Sequence, residues 1–145
     1  MKKANRHRLI DDINKKNTKS YPQEIFEICG WKFEKQEYLI DVEDHYWSID
    51  NGKKKIIGLN TGCGDRWTSR LIPDSTWIEL IKAIQKKGYY PLLLGGSQEH
   101  HKNEYLADVT KATYLGHFSL EKFISLINKC DLVVSVVTMA SHLAI

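Results

Sequence analysis

Apolar residues follow a regular strand-and-helix rhythm from residue 56 onward. Ile56–Asn60 is a short apolar run that predicts a strand covered on both faces. A long loop, Thr61 to Pro73, follows. Asp74 or Ser75 can cap a helix whose Trp77, Leu80, Ile81 and Ile84 share one face. Lys86 and Lys87 suit the negative end of that helix, and Gly88 ends it. Tyr90–Leu94 reads as the next strand, closed by Gly95-Gly96. Gln98–Asp108 predicts a polar helix with Tyr105 and Leu106 turned inward, and Ala112–Leu115 a short strand. Ser119 caps a helix carrying Leu120, Phe123, Ile124 and Ile127, and Leu132–Val137 reads as a last strand.

The chain before residue 56 is less regular. Residues 1–19 are polar and rich in Lys and Asn, as in a connector or frayed helix. Ser20-Tyr21-Pro22 opens a short helix with Ile25, Phe26 and Cys29 as its apolar stripe and Gly30 as its stop. Trp31 and Phe33 alternate with charged residues, and Tyr38-Leu39-Ile40 predicts a short strand. Residues 41–55 are polar and end in the turn signal Asn51-Gly52. Residues 1–55 therefore read as a linker with short elements, and 56–145 as the folded domain.

Strands separated by helices imply an α/β fold, a Rossmann-like parallel sheet with flanking helices. Ligands of such sheets sit beyond the carboxyl ends of the strands. Here those ends are Thr61–Gly64, Gly95-Gly96, Leu115-Gly116 and Thr138–His142. The small and polar residues thus fall on one edge, which marks a binding site.

Gly62 and Gly64 let backbone approach a ligand closely. Arg66 and Arg70, later on the same loop, carry guanidinium groups suited to diphosphate oxygens; the alternative is a solvated surface loop. Gly62-x-Gly64-x-x-Trp67 lacks the third glycine of a dinucleotide fingerprint, which weighs against a nicotinamide-dependent oxidoreductase. Thr138, Met139 and Ala140 follow a strand and open a helix, where backbone N–H groups favour phosphate. His142 could bond a phosphate or ribose hydroxyl, or simply a backbone carbonyl. Gly95 belongs to a strand-to-helix turn, and Glu99 could accept from ribose hydroxyls or favour its own helix start. Leu115-Gly116-His117 could border a nucleobase, and Trp67 and Trp77 read as core. His100 and His101 are adjacent and diverge on a helix, so no metal site is expected. No acid/base pair or nucleophilic triad stands out.

Composition narrows the classes. The chain has 145 residues, 42% hydrophobic and 27% charged, enough for one domain with a core. A net charge of +3 is too mild to argue for nucleic acid. The basic start (Lys2, Lys3, Arg6, Arg8, Lys15, Lys16, Lys19) reads as solvated, with contact to anionic lipid at the inner membrane as the lesser reading. No apolar run reaches the ~20 residues of a membrane span, and no secretory signal stands at the start. Cys29, Cys63 and Cys130 are odd in number and far apart, which fits a reduced, cytoplasmic protein.

From about Ser20 to Ile145 the chain resembles the heptosyltransferase family of lipopolysaccharide glycosyltransferases, glycosyltransferase family 9. The resemblance rests on Gly58-Leu59-Asn60-Thr61-Gly62-Cys63-Gly64-Asp65-Arg66-Trp67, Pro73, Leu92-Leu93-Leu94-Gly95-Gly96, Leu115-Gly116, Ser119-Leu120, Cys130-Asp131-Leu132-Val133-Val134-Ser135 and Thr138-Met139-Ala140-Ser141-His142-Leu143-Ala144. Tyr21–Glu27 resembles the segment linking the two lobes of these GT-B enzymes. The resemblance implies an incomplete C-terminal lobe that binds a nucleotide sugar of the ADP-heptose type, with no other cofactor. Thr61, Gly62, Gly64, Arg66 and Arg70 would then serve the donor from the first loop. Gly95 would serve it from the second, and Thr138, Met139, Ala140 and His142 from the last. The family's usual Gly-Asp-Thr is Val136-Val137-Thr138 here, so an acidic group is lost. The resemblance also implies that the acceptor-binding lobe, with its catalytic carboxylate, lies outside this chain. The isolated chain is then expected to lack transferase activity, with a lipopolysaccharide-core or other glycan acceptor bound only by the longer enzyme. A missing N-terminal lobe or a second chain is the expected partner, and the edge of the last strand is expected to be exposed unless another chain covers it. The alternative is a non-catalytic remnant or interaction module without nucleotide binding.

Overall fold

The computed structural model describes residues 15–37, 39–41, 43–64 and 69–144. The chain divides into two compact units, Met1–Ile40 and Asp41–Ile145. In the first, helix α1 spans Tyr21–Ile28. The Ser20 hydroxyl accepts from the Gln23 N–H at 3.4 Å, and Pro22 stands in the first turn, where no helical N–H is needed. Gly30 takes a φ of +74° and stops the helix. The expected stripe is not buried: α1 has only two turns and no buried residue, and Cys29 is exposed. Phe26 instead meets Trp31 and Phe33 edge-on, at 5.8 and 5.5 Å between ring centroids. Leu39 and Ile40 form no strand, since no described neighbour offers a ladder to pair with, and Tyr38 lies outside the described residues.

The second unit is a four-stranded sheet in the order β3-β2-β1-β4, with every pairing parallel. The strands are β1 (Ile56–Asn60), β2 (Tyr90–Leu94), β3 (Thr113–Tyr114) and β4 (Leu132–Ser135). The helices are α2 (Asp74–Lys86), α3 (His100–Thr110, preceded by a 3-10 turn at Ser97–Glu99), α4 (Leu120–Ile127) and α5 (Met139–Leu143). β1 and β2 have the ends the apolar pattern predicts. β4 is shorter than expected because its partner β1 runs out: Asn60 pairs with Ser135, and no ladder remains for Val136 and Val137. β3 pairs only with Leu92 and Leu93, beyond Pro91, whose nitrogen has no proton to donate.

The two-residue period of the strands sorts the core into two faces. Ile57, Leu59 and Leu93 pack with Trp77, Ile81 and Ile84 of α2 and Leu106 of α3. Ile56, Leu92 and Leu94 pack with Leu126 and Ile127 of α4 and Ala140 of α5. Gly58 points to this second face, where a Cβ would stand 2.7 Å from Cys130 Sγ and 2.8 Å from Leu94 Cδ1, so only glycine fits. Burial pushes the Cys130 thiol up to about 12, with the Asp131 charge adding to the shift.

Helix details depart from expectation in two places. Neither Asp74 nor Ser75 caps α2. Pro73 holds the cap position, and the Asp74 carboxylate instead pairs with Lys102 of α3 at 3.1 Å. On α3, Tyr105 is 51% exposed while Asn103 and Leu106 are fully buried. The inward face follows Asn103, Leu106 and Thr110, at helical spacing, and Tyr105 lies off it.

Residues 43–50 lie along α4 through one hydroxyl. Ser125 is buried, and its Oγ accepts from the His45 N–H and the Trp47 Nε1–H, both at 3.0 Å. Lys129 reaches Asp44 at 2.8 Å, and that ammonium holds the Asp44 carboxyl below its ordinary range. Trp47 and Ile49 thereby seal the second core face. Ser125→Ala strands two donors, and chemical denaturation is expected to show a loss of about 1–3 kcal/mol.

Candidate functional site

The carboxyl ends of the parallel strands converge on a cavity of about 390 Å³, within the range of small-molecule sites. Its polar wall is built by two loops. Asn60, Gly62, Cys63 and Gly64 come from the end of β1, and Gly95 to Glu99 follow β2. Its apolar wall is Phe118, Leu120 and Phe123 from the start of α4, with Met139 and Ala140 of α5 beside Thr138.

Glu99 ties the first two loops together. Its Oε2 accepts from the Gly96 N–H at 2.9 Å. A Cβ on Gly62 would stand 1.9 Å from Glu99 Oε1, and one on Gly95 would stand 2.8 Å from Glu99 Cβ. Gly62 thus lies under the flexible end of Glu99, which a Cβ would displace, and Gly95 leaves room for Glu99 Cβ and Asn103 Nδ2. Gly64 has another reason, a φ of +71° that side-chain-bearing residues avoid.

The third loop is joined to the first by Asn60, which is buried. Its Nδ2 lies 3.1 Å from the Gly62 carbonyl, 3.1 Å from Ser135 Oγ and 3.3 Å from Thr138 Oγ1. The Ser141 hydroxyl accepts from the Thr138 N–H at 3.2 Å and donates to the Thr138 carbonyl, fixing the entry into α5. Among the described residues lining the cavity, Glu99 is the only carboxylate and there is no Lys or Arg.

The sequence matches the profile of glycosyltransferase family 9 (heptosyltransferase) over residues 11–145, nearly its whole length. The chain belongs to glycosyltransferase family 9. Solved structures agree on the fold. ADP-heptose LPS heptosyltransferase II of E. coli superposes with a TM-score of 0.57 at 21% identity, over 63% of this chain and 30% of that one. A family 9 glycosyltransferase from Veillonella parvula gives 0.56 at 17%, over 67% of this chain and 28% of that one. E. coli heptosyltransferase WaaC, solved with ADP-2-deoxy-2-fluoro heptose, gives 0.55 at 20%, over 84% and 39%. The family 9 chain thus spans about a third of the length of these relatives. Among curated proteins none matches significantly.

The structure brings Gly62, Gly64, Gly95, Thr138, Met139 and Ala140 of this family 9 chain onto one cavity. Thr61 is turned away from it. Strand alternation continues past Asn60, so the Thr61 hydroxyl points to the opposite face and donates to Asn103 Oδ1 at 2.6 Å. Arg70 and His142 are exposed and do not line the cavity, and Arg66 lies outside the described residues. The loop expected to border a base contributes Phe118 rather than Leu115, Gly116 or His117. Asn60 escaped the sequence reading, although a polar residue closing an otherwise apolar buried strand was its signal. Phe118, Leu120 and Phe123 escaped because helical spacing marks such residues as core. No helix among the described residues is long and apolar enough to cross a membrane.

Two outcomes check this geometry. Gly62→Ala is expected to displace Glu99 and lose about 1 kcal/mol, the worth of the Gly96 bond, and much less when Glu99→Ala is already present. A double-mutant cycle by thermal melting reads the coupling. Alkylation of the native protein near neutral pH should modify Cys63, in the cavity wall, and spare Cys130, as mass spectrometry of the peptides would show.

Proposed function

We propose that this chain forms the donor side of an inverting glycosyltransferase, binding a nucleotide sugar of the ADP-heptose type for lipopolysaccharide or related glycan assembly. The observation that carries this is the cavity on which the loops after β1, β2 and β4 converge. In this reading the apolar wall of Phe118 and Phe123 takes the flat face of the base, and Glu99 accepts from ribose hydroxyls. Backbone N–H groups of the glycine loop, helped by Arg66 and Arg70, take the diphosphate.

The chemistry asked of this side is charge stabilisation. A base deprotonates a hydroxyl of the glycan acceptor, that oxygen attacks the anomeric carbon, and the bond to the nucleoside diphosphate breaks with inversion. Donors fixed beforehand around the departing phosphate lower the barrier without reorganising during the reaction. Transfer also needs the acceptor held in line with the donor. This chain is assigned the donor-binding task alone, with the acceptor surface supplied by a further lobe or a second chain. In this reading the protein works in the cytoplasm.

A second reading is favoured by Val137, which is 69% exposed where the resemblance calls for a carboxylate. It takes the chain as an interaction module without nucleotide affinity. Titration of the labelled chain with ADP separates the two. Donor binding predicts saturable amide shifts at Gly62, Gly64, Gly95 and Gly96, slower alkylation of Cys63, and loss of both effects in Arg66→Ala with Arg70→Ala. A dispersed spectrum that ADP leaves unmoved would favour the second reading, or a donor carrying a different nucleotide, which is titrated next.

A further inference from the structure

We propose that Asn60 is a positioning residue that sets the spacing of the first and third loops across the cavity, and through it the affinity for a nucleoside diphosphate. The affinity part rests on the donor-binding reading; the spacing part does not.

The geometry fixes the orientation of the amide. The Gly62 carbonyl can only accept, so the atom 3.1 Å from it must be the amide nitrogen. Ser135 Oγ donates to the Val136 carbonyl at 2.7 Å, so towards Asn60 it accepts. Thr138 Oγ1 stands 3.0 Å from Ser135 Oγ and completes the cluster. Two amide protons are therefore shared among three oxygens, one on the first loop, one on Ser135 at the end of β4 and one, Thr138 Oγ1, on the third loop. Asn60 is 6% exposed, so water has little room to replace it. The side chain also sits at the end of the central strand, whose backbone is paired on both sides. The tether is thus rigid at its root and grips both loops at its tip.

The isosteric Asn60→Asp variant tests this because it keeps the shape and removes the donor. Its carboxylate would face the Gly62 carbonyl with no proton between them. Protonation restores one O–H donor, and burial raises the pKa of the introduced carboxyl. Cys63 and Glu99 are the other titratable groups among the described lining, and both are present in each protein. The ratio of variant to wild-type dissociation constants for ADP reports the lost donor together with the added charge beside an anionic ligand, so the uncharged Asn60→Leu must also weaken ADP binding, at both pH values, for the effect to be one of spacing.

Calorimetry is expected to show roughly tenfold weaker ADP binding by Asn60→Asp at about pH 8, shrinking to roughly threefold or less at about pH 5. Ile84→Ala, in the core face of α2 on the other side of the sheet and not among the cavity lining, should lower the melting temperature and leave ADP affinity unchanged. A ratio that does not vary with pH overturns the affinity part of the proposal. Amide spectra without ligand should differ from wild type at Gly62–Gly64 and at Met139-Ala140 together; changes confined to one loop overturn the spacing part. Should wild type fail to bind ADP, the donor reading falls, and the ligand-free spectra still decide the spacing. If Asn60→Asp does not fold, Ser135→Ala removes one acceptor and should move both loops in the same spectra.

Discussion

β1 is hydrogen-bonded to β2 on one side and to β4 on the other, along almost its whole length. Its five residues are all buried, and its neighbours on both faces are helices. A strand held this way has no freedom to slip, since a one-residue shift would exchange its two faces. The loop leaving β1 therefore starts from a fixed point and a fixed direction. Asn60 turns to the face of α5, and Thr61 turns to the face of α3. The first wall of the cavity is decided by that alternation before any ligand is considered.

The cavity is also held by small residues placed under larger ones. Gly62 and Gly95 lie beneath Glu99, and Gly58 lies beneath Cys130 and Leu94. Interiors packed to this density leave little slack for added atoms. Glycine-rich loops at strand ends are commonly read as openings for a ligand. Here Gly62 and Gly95 make room for a side chain of the same protein, which itself lines the opening.

Much of this was legible in the sequence. Two strands were found to the residue, because a buried parallel strand is a bare apolar run between turn signals. The edge that carries the cavity followed from topology alone. The errors share a cause. Thr61, Tyr105 and Asp74 were judged by local pattern, while their placement depends on Asn103, Leu106 and Lys102, which stand on other turns or elements. Asn60 and Glu99 act through bonds to residues distant in sequence or packed across a loop, and no local period reports such partners.

The two core faces draw on different stretches of chain. The buried core of the face of α2 and α3 comes from residues 57–112, with Val134 of β4 packed against it. The other face waits for α4, β4 and α5, and β4 must find β1 across some 75 residues. Closing a loop of that length is entropically costly and slow compared with forming the earlier crossover. During synthesis the first half can gather while the last strand is still being made. The cavity lies against the later face, so its walls meet only when residues 132–140 dock. Among the described residues its assembly is thus a late event, and a chain in which β4 has not docked would hold three strands and an incomplete cavity.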